Sequence, residues 1–250
     1  MKKPLLLFAL FVQAHVLIGQ EPGTATKPPV QVVQKADVAA PKMGPDGKIN
    51  PNFQSAHEKF NKIAAEGNGQ LLFLGDSITA GWNGKKEIWE KEFSAYKPIN
   101  FGIGGDRTQH VLWRITNGEL ENLKLKGVVL MIGTNNSGSD SAEDIAKGIT
   151  VIVETIRSKQ PQAKILLLAV FPRGEKANPN PSREKISKVN EQIAKLHDGK
   201  QIHFLDIGSK VLQEDGSLTK EIMPDFLHLS AAGYQIWADS IQTKLKEIMN

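Results

Sequence analysis

Five short apolar runs, separated by amphipathic stretches, constrain the fold of this chain more than any other feature. The runs cover residues 71–74, 99–101, 128–132, 165–170 and 202–205. Helical patterns cover residues 53–65, 87–95, 108–115, 142–157, 183–197 and 231–249. Uninterrupted apolar strands that alternate with helices indicate a parallel sheet covered on both faces. With right-handed crossovers, the sequence predicts a three-layer α/β/α sandwich around a flavodoxin-like parallel sheet of about five strands.

The first 50 residues differ from the rest of the chain in composition and in hydrophobic patterning. Lys2 and Lys3 precede an apolar stretch over residues 5–19, as in a secretory signal peptide, and this stretch is shorter than the roughly 20 residues of a membrane span. Residues 20–50 are rich in Pro, Gly, Ala and Lys and lack periodicity. We predict a signal peptide over 1–19, a linker or N-terminal arm that acts as a spacer over 20–50, and one catalytic domain over 51–250. The expected location is secreted or periplasmic, with an uncleaved N-terminal anchor as the alternative.

Composition and motif spacing exclude several classes of function. The net charge of +4 comes from interleaved lysine and glutamate rather than a basic cluster, so no nucleic-acid partner is expected. The chain has no cysteine, which excludes thiol catalysis and cysteine-ligated zinc. Its glycine-rich segments lack the spacing of dinucleotide and Walker motifs, and H-E-K-F-N at 57–61 lacks the second histidine of a zinc motif. These absences favour a metal-free mechanism.

Polar motifs follow the first three apolar runs: G-D-S at 75–77, G-I-G-G-D at 102–106 and G-T-N-N at 133–136. In an open parallel sheet, ligands bind outside the carboxyl ends of the strands, so these motifs should meet there. A fourth motif, D-F-L-H at 225–228, places an acid and a histidine three residues apart before the last helix. Together they offer the nucleophile, base, orienting acid and oxyanion donors that a serine hydrolase needs.

Each motif also has an ordinary structural explanation. Ser77 is either a nucleophile on a sharp turn or a capping serine, and Asp225 and His228 are either a base with its orienting acid or solvated loop residues. Gly105 and Asn135 are either oxyanion donors, through a backbone N–H and a side-chain amide, or a turn glycine and a capping asparagine. The G-x-S-x-G elbow of ordinary α/β-hydrolases is absent because position 79 is threonine.

Taken together and in this order, the four motifs resemble those of the SGNH (GDSL) hydrolase superfamily. Segments 100–136 and 160–179 resemble the catalytic subunits of the brain-type, intracellular platelet-activating factor acetylhydrolases. The resemblance implies Ser77 as nucleophile, His228 as general base and Asp225 as its orienting acid. It also implies an oxyanion hole formed by the Ser77 N–H, Gly105 and Asn135, and no metal or organic cofactor. The leader and the Pro-rich arm are foreign to those subunits, so their lipid substrate and dimerisation do not carry over.

Several further residues near the motifs are candidates for substrate contact. We predict that Asp76, Trp82 and Arg173 line the substrate site. For Arg107, His110 and Arg114, surface salt bridges or helix capping are favoured, with substrate contact as the alternative. Trp89, Trp113 and Trp237 lie on helical patterns and are expected in the core.

The expected function is that of a secreted serine esterase removing short acyl groups, acetyl above all, from carbohydrates. Its substrate would be a small-molecule or polysaccharide ester, with no stable membrane span and an oligomeric state left open. A phospholipid, lysophospholipid or thioester substrate is the alternative. A non-catalytic carbohydrate-binding module is the third hypothesis, which the intact set of motifs disfavours.

Overall fold

The computed structural model describes residues 34–250, and within them a single five-stranded sheet forms the centre. Every strand pairing is parallel, and the strand order is β2-β1-β3-β4-β5. The strands are β1 (Leu71–Gly75), β2 (Pro98–Gly102), β3 (Gly127–Met131), β4 (Lys164–Leu168) and β5 (Ile202–Leu205). The predicted parallel sheet is confirmed. The predicted signal peptide and residues 20–33 of the predicted linker lie outside the described residues.

Seven α-helices flank the sheet within the described residues. They are α1 (Pro51–Glu66), α2 (Ser77–Ala80), α3 (Lys86–Phe93), α4 (Thr108–Thr116), α5 (Ala142–Lys159), α6 (Pro181–Ile193) and α7 (Ala231–Met249). Helices α3 and α6 end earlier than predicted because the chain tightens into 3₁₀ turns at Ser94–Tyr96 and Ala194–Leu196. None of the helices in residues 34–250 is both long enough and apolar enough to cross a membrane.

Two apolar layers enclose the sheet, because successive strand side chains point to opposite faces. Leu72 and Leu74 enter the layer shared with α1, α4, α5 and α6. Leu71 and Phe73 enter the layer shared with α3 and α7. Strands β1, β3 and β4 are therefore buried on both faces, as their continuous apolar runs predicted, while the edge strands β2 and β5 are partly exposed. The three-layer α/β/α sandwich is confirmed.

Trp82 belongs to the second of these layers and not to a substrate pocket. Its side chain is 1% exposed and packs against Phe73, Phe93, Tyr234 and Trp237. The prediction that Trp82 lines the substrate site is wrong, because the 3₁₀ turn after α2 directs the indole into the apolar layer between the sheet and α7. Trp237 is fully buried as expected. Trp89 and Trp113 pack against the two layers but are only partly buried, so they border the core in which they were expected.

Residues 34–50 form an arm that lies against α4 and α5. The Thr108 hydroxyl donates to the carbonyl of Ala36 (2.7 Å), and the Ala40 N–H donates to the carbonyl of Gln109 (3.1 Å). Ala36 itself is buried. The described part of the predicted spacer therefore does more than span a distance. Sequence periodicity missed this packing because these two bonds involve backbone groups of the arm, which leave no pattern in the sequence.

Candidate active site

Ser77 lies at the first residue of α2, directly past the carboxyl end of β1. Asp76 caps this short helix, since its Oδ1 accepts the N–H of Ile78 (2.9 Å). The end of β2 packs closely on the same turn: a Cβ added to Gly102 would lie 2.2 Å from the backbone nitrogen of Ala80. Only glycine permits this approach, and the close packing fixes the turn that presents the Ser77 hydroxyl.

A continuous chain of hydrogen bonds joins Ser77, His228 and Asp225. Ser77 Oγ lies 2.9 Å from His228 Nε2, although the two residues are 151 positions apart. His228 Nδ1 lies 2.6 Å from Asp225 Oδ2. One neutral tautomer satisfies both contacts, with the hydroxyl donating to Nε2 and Nδ1–H donating to the carboxylate. The Asp225 and His228 side chains are 55% and 43% exposed, so the candidate site opens directly to solvent.

The turn that carries Asp225 and His228 is held in an unusual conformation. Phe226 has a φ of 58°, in the left-handed region, and its carbonyl accepts the N–H of Gly174 (2.8 Å). This conformation brings the N–H groups of Leu227 (3.1 Å) and His228 (2.7 Å) onto Asp225 Oδ1. The turn thereby aligns the acid with the imidazole ring.

The electrostatics of Asp225 suit an orienting acid. Partial burial raises the pKa of this carboxyl, but hydrogen bonds from the His228 ring and from the His228 and Leu227 N–H groups outweigh it and lower the pKa to about 2. Asp225 is therefore ionised at neutral pH. The negative charge of Asp225, which accepts the His228 Nδ1–H, holds the ring in place. It also favours the imidazolium that forms when Nε2 takes a proton.

The two predicted oxyanion donors lie on loops that meet beside Ser77. The Asp106 N–H donates to the carbonyl of Ile103 (3.2 Å), which closes a turn with Gly105 at a φ of 71°. This turn adjoins the nucleophile, since a Cβ added to Gly104 would lie 4.0 Å from Ser77 Cβ. On the neighbouring loop, Asn135 Nδ2 donates to the Asp106 carbonyl (2.9 Å). A side-chain amide carries two hydrogens, so the second remains for a ligand.

Buried ion pairs lie beneath the Gly105 turn. Arg114 is fully buried; its Nε donates to Asp106 Oδ2 (2.9 Å), its Nη1 pairs with Glu119, and its Nη2 donates to the Phe101 carbonyl (3.0 Å). The favoured interpretation of Arg114 as a surface salt bridge is wrong, because it bridges two buried carboxylates. Breaking such a pair typically costs about 3–5 kcal/mol. Arg114 therefore anchors the Gly105 turn from below, a role that sequence spacing did not reveal.

The remaining candidates support the loops. Asp76 is buried beneath α2, so the prediction that it contacts substrate is wrong; its carboxylate is used to cap the helix. Arg173 Nη1 donates to the carbonyl (3.2 Å) and hydroxyl (3.3 Å) of Thr134, and so holds the loop that carries Asn135. His110 Nδ1 accepts the N–H of Arg107 (3.1 Å) at the start of α4, which agrees with the capping interpretation. Substrate contact by Arg173 stays a prediction.

Burial gives Asp76 an unusual titration. It raises the pKa of this carboxyl to about 7, against the opposing hydrogen bond from Ile78, and the nearby Asp106 raises it further. The pKa in the folded state thus lies above the ordinary value of 3.8. The neutral form of Asp76 therefore favours the folded state. Its contribution to the free energy of unfolding is fully present below pH 3.8 and is lost as the pH rises through about 7.

Asp76→Asn is therefore expected to change the pH dependence of stability. Asparagine keeps the capping oxygen but cannot ionise, so the variant should gain up to about 4 kcal/mol in unfolding free energy relative to the parent between pH 4 and pH 8. Urea denaturation at several pH values measures this difference. Asp46→Asn, in an exposed loop where Oδ1 likewise accepts a backbone N–H, is the matched control for the chemical change. A difference between Asp76→Asn and the parent that does not change with pH would contradict the prediction.

The geometry defines a class of protein: a parallel α/β/α sheet with a Ser-His-Asp chain and converging N–H donors at its strand ends is a serine hydrolase. The chain belongs to the GDSL-like lipase/acylhydrolase family, whose model matches residues 73–236. It is an ester-hydrolysing enzyme, and the resemblance noted in the sequence is confirmed. Within residues 34–250, no group of three histidine or acidic side chains is placed to hold a metal ion.

The similar proteins cover most of the chain. This chain is 43% identical over 197 residues to platelet-activating factor acetylhydrolase IB subunit alpha2 of Rattus norvegicus. The match covers 78% of this chain and 84% of that protein. The chain is 41% identical over 216 residues to subunit alpha1 of Homo sapiens, covering 86% of each. Among solved structures, a GDSL-like lipase from Bacteroides thetaiotaomicron aligns with a TM-score of 0.65 at 21% identity, over 78% of this chain and 98% of that one. This last similarity supports the fold alone.

Proposed function

We propose that this protein is a short-acyl esterase, selective for acetyl groups, with Ser77 as nucleophile, His228 as general base and Asp225 as the acid that orients it. One observation carries the proposal: the unbroken hydrogen-bond chain from Ser77 Oγ through His228 to Asp225, placed at an open strand end. In the first step, His228 Nε2 takes the hydroxyl proton as Ser77 Oγ attacks the ester carbonyl.

The turn over residues 103–106, named the oxyanion turn from here on, acts on the tetrahedral intermediate. The N–H groups of Ser77 and Gly105 and the second amide hydrogen of Asn135 stabilise the charge that develops on the carbonyl oxygen. The imidazolium of His228 then returns its proton to the leaving alcohol, which departs and leaves an acyl-enzyme. Water, activated by the same histidine, hydrolyses the acyl-enzyme and releases the acid.

The openness of the site supports a bulky, hydrophilic alcohol such as an acetylated carbohydrate. The Asp225 and His228 side chains are 55% and 43% exposed, and Gly104 and Gly105 beside Ser77 are exposed as well. Because the residues around Ser77 are exposed, the alcohol part of a bound ester can extend into solvent whatever its size. The export predicted from residues 1–19 agrees with an extracellular polysaccharide ester, and a secreted or periplasmic location stays part of this proposal.

A second candidate substrate is an acetylated phospholipid, and two observations favour it. The relatives at 41–43% identity are named platelet-activating factor acetylhydrolase subunits. In addition, the large exposed apolar side chains of the described residues are Val38 (52%), Met43 (45%) and Ile49 (38%), all on the arm over residues 34–50. The arm reaches the site because Lys42 contacts the oxyanion turn. Exposed apolar groups near a catalytic site can bind an alkyl chain.

A chain-length series tests the acyl preference. On p-nitrophenyl esters, we expect kcat/KM to fall by about tenfold or more from acetate to butanoate and again to octanoate, because a short-acyl site rejects added methylenes. A value that rises with chain length would overturn the short-acyl proposal. The measurement uses esters below their solubility limit and enzyme of known active-site concentration.

Acetate release from acetylated xylan and from an acetylated ether phospholipid then distinguishes the two proposed substrates. The carbohydrate proposal is supported if acetate is released from xylan and if the Met43→Ser variant releases it at the same rate as the parent. Release confined to the phospholipid, and reduced several-fold in Met43→Ser, would replace it with the lipid one. The same variant should hydrolyse p-nitrophenyl acetate at the parental rate, since Met43 carries no part of the proposed chemistry.

A further inference from the structure

Lys42, a residue of the arm over 34–50, reaches the oxyanion turn. Its Nζ donates to the carbonyl of Gly104 (2.6 Å) and lies 2.8 Å from Asp106 Oδ1. The Lys42 side chain is only 17% exposed. A lysine from the predicted spacer therefore contacts the backbone of the turn proposed to stabilise the transition state.

The carbonyl that Lys42 binds belongs to the same peptide group as the proposed oxyanion donor. The Gly104 C=O and the Gly105 N–H are joined by one planar peptide bond, and in a trans peptide they point in opposite directions. A cation that holds the C=O from one side therefore directs the N–H to the other. Ser77 adjoins the turn through Gly104, whose added Cβ would lie 4.0 Å from Ser77 Cβ.

We propose that Lys42 is a positioning residue that fixes and polarises the Gly104–Gly105 peptide, so that its N–H is held ready for the oxyanion. This inference rests on the proposed function of Ser77 and Gly105. The peptide needs such a restraint because it lies between two glycines, which lack the side chains that normally limit backbone rotation. A cation bound to the C=O also strengthens the N–H as a donor, because hydrogen bonds in a chain polarise one another.

The arm is built to deliver this side chain. The N–H of Asn50, which caps α1, donates to the Lys42 carbonyl (2.8 Å). Met43 and Ile49 form a β-bridge, so residues 43–49 make a closed loop directly after Lys42. Upstream, Ala40 and Ala36 bond to α4. Lys42 is thus fixed on both sides in the chain.

Lys42 is one of two cations that pair with Asp106. The other is Arg114, which binds Oδ2 (2.9 Å) at a site with no solvent exposure. Removing the lysine leaves that pair intact but takes the partner from the buried Oδ1, so some folding stability is lost as well. A positioning role predicts, in addition, a loss of rate in the protein that remains folded.

Lys42→Met tests the inference, because methionine keeps the apolar stem and removes the charge and the donor. We expect kcat on p-nitrophenyl acetate to fall about 10- to 100-fold with KM changed less than about twofold, since the oxyanion exists only beyond the ground state. The affinity for a small alkylboronic acid, which forms a tetrahedral adduct with the serine, should weaken by a similar factor. Lys42→Arg should recover part of kcat. Lys48→Met, an exposed lysine of the same arm, should match the parent.

The outcomes separate this inference from the proposed function. If Lys42→Met keeps the parental kcat and boronic-acid affinity while the parent hydrolyses esters, the positioning role is overturned and the proposed function stands. A lowered unfolding free energy with unchanged kcat, measured well below the midpoint of unfolding, would make Lys42 a structural clamp and also overturn it. A folded parent that hydrolyses no ester and does not react with a fluorophosphonate would overturn the proposed function itself.

Discussion

Ser77→Ala is expected to lower kcat on p-nitrophenyl acetate by about a millionfold and to abolish labelling by a fluorophosphonate. The loss is large because the Ser77 hydroxyl is the proposed attacking atom and the only hydroxyl bonded to His228 Nε2 in the described residues. Any remaining rate above that in water should come from the oxyanion donors, which are untouched by the change.

The fold should survive this substitution. Alanine keeps the helical backbone of α2, and Asp76 still caps it through the N–H of Ile78. Thermal unfolding of both proteins checks this directly. Ser55→Ala, at an exposed position on α1, is the matched control and should retain full rate and labelling. Labelling that persists in folded Ser77→Ala would assign the nucleophile to another residue.

The sheet was predictable because its signal is local. A strand buried on both faces must be apolar along its whole length, so runs such as residues 71–74 and 128–132 reveal themselves without knowledge of their neighbours. Strand ends then follow from parallel topology, and so does the expectation that the motifs at 75–77, 102–106 and 133–136 meet. The hydrogen bond from Asn135 to the Asp106 carbonyl and the close approach of Gly104 to Ser77 agree with this expectation.

The supporting structure could not be predicted, because it depends on which distant groups meet. Trp82 has the same local sequence whether its ring lines a pocket or enters the core; the position of α7 decides between them. Arg114 could pair with any acid, and only the folded chain buries it against Asp106 and Glu119. Lys42 lies in a segment without periodicity. Its contact with Gly104 spans 62 positions and involves a backbone carbonyl, which leaves no mark in the sequence.

Asp106 links these unpredicted contacts. Its side chain pairs with Arg114 from below and with Lys42 from the arm, and its backbone carbonyl accepts from Asn135. The two proposed oxyanion donors, Gly105 and Asn135, are therefore connected through one residue. A preorganised site does not have to reorganise when charge develops in the transition state, so this shared anchor suits the stabilisation of a tetrahedral oxyanion.

Asn135→Ala is expected to lower kcat by about 10²–10³, the loss typical of one oxyanion donor, with a much smaller effect on KM. The rate should fall because alanine removes the second amide hydrogen, which we propose binds the oxyanion. Stability should fall by no more than about 1 kcal/mol, because the single bond to the Asp106 carbonyl is only partly buried. Steady-state kinetics and urea denaturation measure the two effects separately.

The neighbouring Asn136 provides the contrasting variant, since it has the same side chain in a different setting. Asn136 is fully buried; its Oδ1 accepts the N–H of Thr108 (3.0 Å) and its Nδ2 donates to Gln109 (3.1 Å). Asn136→Ala should therefore cost about 1–3 kcal/mol in unfolding free energy by leaving buried groups unpaired. If folded Asn135→Ala turns over the parental esters at the parental kcat, Asn135 is not an oxyanion donor, and Gly105 with the Ser77 N–H must provide that stabilisation.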